Sequence, residues 1–120
     1  MIMNQIKLIT NSDDFGINES ITDAILETHL KGIMTSTSLM INMPGFDYAV
    51  KKTKEHSTLG VGIHFNLTEG KPISHPLLIP DLLDEYGSFK TNEIQRKNLL
   101  LGKKIYKQVY IELNAQLEKM

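Results

Sequence analysis

Asp13 and Asp14 are adjacent carboxylates, and His64 lies fifty positions beyond the second of them; these are the residues whose types most suit catalysis. Neighbouring side chains diverge, so one carboxylate can hold a cation while the other stays free to take a proton. A carboxylate and an imidazole are ordinary ligands for first-row divalent ions. With no cysteine in the chain, a disulfide or thiolate site is excluded, and any metal must be held by carboxylate, imidazole and water. Taken singly, the signals are weak. Asp-Asp-Phe-Gly is also a plain polar turn, and a lone strand histidine more often satisfies structural hydrogen bonds. Asn11, Asn42 and Asn66 fall at strand ends. They are candidates for orienting a substrate or bracing ligands, or for satisfying strand termini. Ser36 and Ser38 belong to no nucleophile motif, and nothing resembles an oxyanion arrangement.

Chemistry requires that these residues converge, which depends on the elements that carry them. Ile6 to Thr10 reads as a first strand that stops at Asn11-Ser12-Asp13-Asp14, residues that compete for backbone hydrogen bonds. Asn18 or Ser20 can cap a helix in which Ile21, Ala24, Ile25 and Thr28 recur, with Gly32 as its stop. Thr35 to Asn42 reads as a second strand, and Phe46, Ala49, Val50 and Thr53 mark a second helix. In the third strand Val61, Ile63, Phe65 and Leu67 alternate with Gly62, His64 and Asn66, so imidazole and amide share one face.

Strands alternating with helices call for parallel pairing through right-handed crossovers, hence an α/β class built as a parallel βα-repeat. In such an architecture the C-terminal strand ends converge on one mouth, which brings Asp13, Asp14 and His64 together. The rhythm then stops. Residues 68–90 carry Pro72, Pro76, Pro80 and Gly87 and read as a long loop, a lid or a substrate wall. Asn92 with Gln95 resembles a capping box, opening an amphipathic helix over 92–118 that Gly102 breaks or bends. Its stripe is Ile105, Val109, Leu113 and Leu117, flanked by Tyr106 and Tyr110.

The 120 residues, 41% hydrophobic and 22% charged, fit a single globular domain with one core. Three βα units are too few for a closed barrel, which takes about 200 to 250 residues. The expected architecture is therefore an incomplete TIM-like barrel whose open edge invites association, most simply as a two-fold dimer. A net charge of −1 with interspersed signs supplies no field to gather nucleic acid or an anionic membrane. No apolar run approaches a membrane span and Met1 to Met3 do not open a secretory leader, so a cytoplasmic location is expected.

Three stretches together are more specific than any single residue: Asn11-Ser12-Asp13-Asp14-Phe15-Gly16, Thr35 to Pro44, and Gly60-Val61-Gly62-Ile63-His64-Phe65-Asn66-Leu67-Thr68-Glu69-Gly70. In order and spacing they closely resemble successive motifs of the YdjC-like carbohydrate deacetylases, the chitooligosaccharide deacetylase group. Asp84 to Phe89 is similar to a further segment of that family. The resemblance implies a barrel-like fold of the glycoside hydrolase/deacetylase type, removal of acetyl groups from N-acetylated sugars such as chitin-derived oligosaccharides, and a divalent cation, magnesium or zinc. It also implies Asp14 and His64 as metal ligands and Asp13 as general base. Members carry another ligating histidine in a later His-rich segment that nothing after His64 matches. His75 sits in variable loop, and His29 and His56 fall on solvated helix positions. In this chain the metal is accordingly expected to be weakly held or absent.

The implied chemistry is coherent: a divalent metal polarises an amide carbonyl and acidifies bound water, and a nearby carboxylate takes the proton. Two other readings compete with it. One is a non-catalytic truncated member acting as a binding or regulatory module, and the other is a metal-dependent hydrolase of a different amide or ester.

Overall fold

The computed structural model describes residues 6–100 and 102–120; the Met1–Met3 start lies outside them. Five short elements come first: β1 (Asn11–Phe15), α1 (Glu19–Lys31), β2 (Ser36–Met40), α2 (Phe46–Glu55) and β3 (Gly60–His64). Two helices close the chain, α3 (Asn92–Leu99) and α4 (Lys103–Lys119). The strands pair in chain order, β1-β2-β3, and both pairings are parallel. This is the α/β class expected from alternating strands and helices, realised as an open sheet rather than a barrel.

The first strand lies later than the apolar run predicts. A strand extends only as far as its partner, and the ladder begins where the Thr35 and Ser36 N–H groups donate to the Thr10 carbonyl. Among the described residues none pairs with Ile6 to Ile9, and Ile6, Leu8 and Ile9 are exposed. The ladder instead takes in the polar run itself, which a propensity reading assigns to a turn.

Asn18 caps α1, its side-chain oxygen accepting from the Ile21 N–H at 2.8 Å. The buried stripe of α1 is Thr22, Ile25 and Leu26, rotated from the expected one: Ile21 is exposed, as are Ala24 and Thr28. Ile25 and Leu26 join Phe15, Met34, Leu39, Ile41, Ala49 and Leu59 in a core between the sheet and the first two helices. Gly16 makes the β1–α1 turn possible. Its φ is +85°, and a Cβ there would stand 2.8 Å from Leu39 Cδ1 and 3.3 Å from Ala49 Cβ. Gly16→Ala should therefore cost about 1–3 kcal/mol, measured as a lowered denaturation midpoint; an unchanged midpoint would show that the turn relaxes freely.

The segment between β3 and α3 holds two short 3-10 turns, Pro76–Leu78 and Pro80–Leu82, and one bridge, Leu83 to Phe89. It is not a bare loop. Ile79, Leu82, Leu83 and Phe89 pack with Ile105 of α4 into a second core, so the chain has two apolar clusters where one was expected. Gly102, at φ +99°, separates α3 from α4, so the 92–118 region is two helices rather than one.

The final helix departs from its apolar stripe. Ile105 is buried, but Leu117, Tyr106 and Tyr110 are exposed, and the inward positions at helical spacing are Gln108, Glu112 and Gln116. These side chains satisfy backbone groups that have no ladder of their own. Gln116 brackets Asn66, accepting from its N–H at 3.0 Å and donating to its carbonyl at 2.6 Å. Glu112 accepts from the Ile73 N–H, the Ser74 N–H, the Ser74 hydroxyl and the Gln116 amide. Gln108 holds Asp81, whose carboxyl is kept below the usual range by hydrogen bonds from Lys104 and then Gln108. Gln95, read from the sequence as half of a capping box, instead donates to the Leu67 and Leu82 carbonyls at 2.9 and 2.8 Å. The long segment is thus pinned from above by a row of buried amides and one carboxylate.

Candidate functional site

One face of the sheet packs on α1 and α2 through Thr37 and Leu39 of β2 and Val61 and Ile63 of β3. The opposite face is polar because alternation turns Ser36, Ser38 and His64 the other way. The β2–β3 register is regular, with Ser38 opposite Gly62 and Met40 opposite His64. The β1–β2 register is not: Ser12 faces Thr37, but Phe15 faces Leu39, so Asp13 and Asp14 together occupy one step of β2. This is a bulge, a device that re-aims side chains at the end of a strand. Asp14 takes φ 67°, a left-handed conformation that aspartate tolerates better than most residues.

The bulge turns Asp14 toward β3. Its Oδ1 lies 3.5 Å from His64 Nδ1, and its backbone N–H donates to the same nitrogen at 3.2 Å. That donation makes Nδ1 the unprotonated nitrogen of the imidazole. Nδ1 and Oδ1 are the donor types a cation takes, and an ion shared between them would replace the Asp14 N–H on the single Nδ1 lone pair. An ion that bonds nitrogen and oxygen at roughly 2.0–2.2 Å sets its ligand atoms about 3–3.5 Å apart. Asp14 and His64 therefore match a divalent ion in donor type and in atom spacing, with the Asp14 N–H displaced from Nδ1 when the ion binds. Among the described residues no cluster of three or more His, Asp or Glu surrounds such a position.

Asp13 points elsewhere. Its Oδ1 accepts from Ser38 Oγ at 2.7 Å and from Asn11 Nδ2 at 3.0 Å. Asn11 is held in turn by Ser36, whose hydroxyl donates to Asn11 Oδ1 at 2.8 Å. The three residues that sequence reasoning singled out thus meet at one end of the sheet, although fifty positions separate Asp14 from His64.

The amides divide. Asn11 braces Asp13, whereas Asn42 and Asn66 tie down the chain after β3. Asn42 Nδ2 donates to the Glu69 and Lys71 carbonyls, and Asn66 Nδ2 donates to Asn42 Oδ1 and to the Glu69 carbonyl. β3 ends at His64, so its alternation does not run on through Asn66. Phe65, which the alternation places on the face of Val61 and Ile63, is instead 45% exposed and lines the same cavity as His64. That cavity, about 380 Å³, runs from Asp14 and His64 between the long segment and α3–α4, with Leu82, Gln95 and Leu113 in its wall.

The other histidines serve the fold. His29 is half-buried rather than solvated, its ring nitrogens bonded to the Met34 carbonyl and Thr58 Oγ1 at 2.8 and 2.9 Å. His75 Nδ1 accepts from the Leu77 N–H and opens a 3-10 turn. His56 ends α2. Sequence reasoning missed Ser38, set aside for want of a nucleophile motif, and the Gln108–Glu112–Gln116 row. The latter has a readable signal, three hydrogen-bonding residues spaced four apart on a helix.

The family model described as YdjC-like protein matches residues 7–120. The chain belongs to the YdjC-like protein family. Among curated relatives, a carbohydrate deacetylase of Geobacillus stearothermophilus is 40% identical over 92% of this chain and 42% of its own length. A carbohydrate deacetylase of Brevibacillus brevis is 48% identical over 72% of this chain and 34% of its own length. A solved structure from Enterococcus faecalis V583, described as a candidate cellobiose-phosphate cleavage protein, superposes with a TM-score of 0.77 at 31% identity, over 92% of this chain and 43% of that one. The chain thus spans less than half the length of the relatives it matches. Among the described residues no helix is long and apolar enough to cross a membrane.

Proposed function

We propose that this chain is the segment of a metal-dependent carbohydrate deacetylase that supplies the base and two metal ligands, acting on N-acetylated sugars such as chitin-derived oligosaccharides. The observation that carries the reading is the pairing of Asp14 Oδ1 with His64 Nδ1 at 3.5 Å, beside a second carboxylate on the same bulge. The names of the relatives support an acetylated sugar as substrate. The cavity is of the size that small-molecule sites occupy, roughly 300–1,000 Å³, and the half-exposed Phe65 offers a ring face to a sugar.

In this reading a divalent cation, magnesium or zinc, would be held by Asp14 and His64 and would polarise the acetyl carbonyl and acidify a water. Asp13 takes a proton from the attacking water as the oxygen of the water bonds to the carbonyl carbon. When the C–N bond breaks, the same proton passes to the sugar nitrogen, leaving acetate and a free amine. Two protein ligands hold a catalytic ion poorly, so full affinity belongs to the whole protein.

Acetate release from N-acetylated chito-oligosaccharides by the whole protein, with and without added divalent metal, tests the reading. Undiminished release after exhaustive chelation would sink the metal dependence. His64→Ala should weaken metal binding, measured by titration calorimetry, by more than the roughly 10–100-fold that loss of an outer partner costs. Wild-type affinity in that variant would remove His64 from the ligand set.

A further inference from the structure

We infer that Ser38 is a positioning residue, which together with Asn11 fixes the Asp13 carboxylate so that Oδ2 alone is presented for proton transfer; this rests on the reading of Asp13 as the base. The two oxygens of Asp13 have different surroundings. Oδ1 accepts from Ser38 at 2.7 Å and from Asn11 at 3.0 Å, whereas Oδ2 accepts no hydrogen bond from any described residue. A carboxylate held through one oxygen by donors on two strands cannot swing about its last torsion without breaking one of them. The free oxygen is left with lone pairs in a set direction.

The Ser38 hydroxyl has one proton, and its neighbours decide where that proton goes. His64 Nδ1 lies 3.4 Å from Ser38 Oγ, but that nitrogen already accepts the Asp14 N–H. Its one lone pair cannot accept a second donor, and the Ser38 proton goes to Asp13 Oδ1 at 2.7 Å. Ser38 therefore stands between the candidate base and the candidate ligand and bonds to the base. Asn11 cannot turn its donor away either, because its own oxygen accepts from Ser36 at 2.8 Å. The strand register places this set: Asn11 pairs with Ser36 and the bulge lies against Ser38, so the serines of β2 fall opposite the residues of β1 that they hold.

Orientation of this kind acts on the chemical step and not on binding of sugar or metal. In the whole protein, Ser38→Ala should lower kcat by about 10–100-fold, by analogy with the loss of outer-shell partners. KM and metal affinity should stay near wild type. Ser38→Thr, which restores a hydroxyl, should recover most of the loss. Combined with Asp13→Asn, Ser38→Ala should add little, because both changes act on one group.

A Ser38→Ala protein with wild-type kcat, alongside an inactive Asp13→Asn protein, overturns the positioning role while leaving Asp13 as the base. A loss in Ser38→Ala that follows weakened metal affinity, or that Ser38→Thr fails to recover, overturns it as well. Full turnover in Asp13→Asn overturns the reading beneath it.

Discussion

Asp13→Asn in the whole protein should lower acetate release by about 10²–10⁴-fold, the range that general-base catalysis supplies, with metal content unchanged. The change is close to isosteric, and the amide oxygen can still accept the Ser38 and Asn11 hydrogen bonds that now converge on Oδ1. Structure around the bulge should survive while the proton acceptor is lost. Asp14, which faces His64, remains intact, so bound metal measured by elemental analysis should match the wild type. Turnover at wild-type rate would show that the base lies elsewhere, and loss of metal together with turnover would move Asp13 into the ligand set.

The largest effect on stability is expected at Glu112, and it can be measured on the 120-residue chain itself. Glu112 has no exposed surface, and its two oxygens accept from the Ile73 and Ser74 N–H groups, the Ser74 hydroxyl and the Gln116 amide. Glu112→Ala removes every one of these acceptors and leaves the donors facing the space the carboxyl filled. Buried donors without partners cost about 1–3 kcal/mol each, and the Ile73 and Ser74 N–H groups, the Ser74 hydroxyl and the Gln116 amide all lose theirs. A loss of about 3–5 kcal/mol in denaturant unfolding is the expected outcome. A loss below about 1 kcal/mol would mean that water satisfies the segment unaided, and the long stretch after β3 would then not depend on α4 for its shape.

Much of the site was legible because it depends on short-range rules. Asp13, Asp14 and His64 stand at strand ends, and parallel strands joined by helices bring such ends to one side of a sheet. The alternation of Val61 and Ile63 with His64 put the imidazole on the face away from the helices, where it is found. Asn18 and Gly102 acted as cap and break because each carries its reason in its own chemistry, a side-chain acceptor in one case and tolerance of positive φ in the other.

Other features were illegible for reasons equally physical. An apolar run does not make a strand without a partner, and Ile6 to Ile9 have none among the described residues, so β1 moved onto polar residues that propensity assigns to a turn. Helical periodicity cannot tell which face of α4 turns inward when the neighbouring chain has backbone groups to satisfy. Here Ile105 and Val109 of the apolar stripe do pack on the second core, but toward the C-terminal end the polar face turns inward, because unpaired N–H and carbonyl groups in residues 66–82 cost more to bury than Leu117 costs to expose.

The sequence by itself determined the α/β class, the family and the three residues most suited to chemistry, since each follows from local pattern and residue type. Only the tertiary structure decided how those residues meet. The bulge that sets Asp14 against His64 while turning Asp13 to Ser38 is a mismatch in register between two strands, a relation that neither strand contains alone.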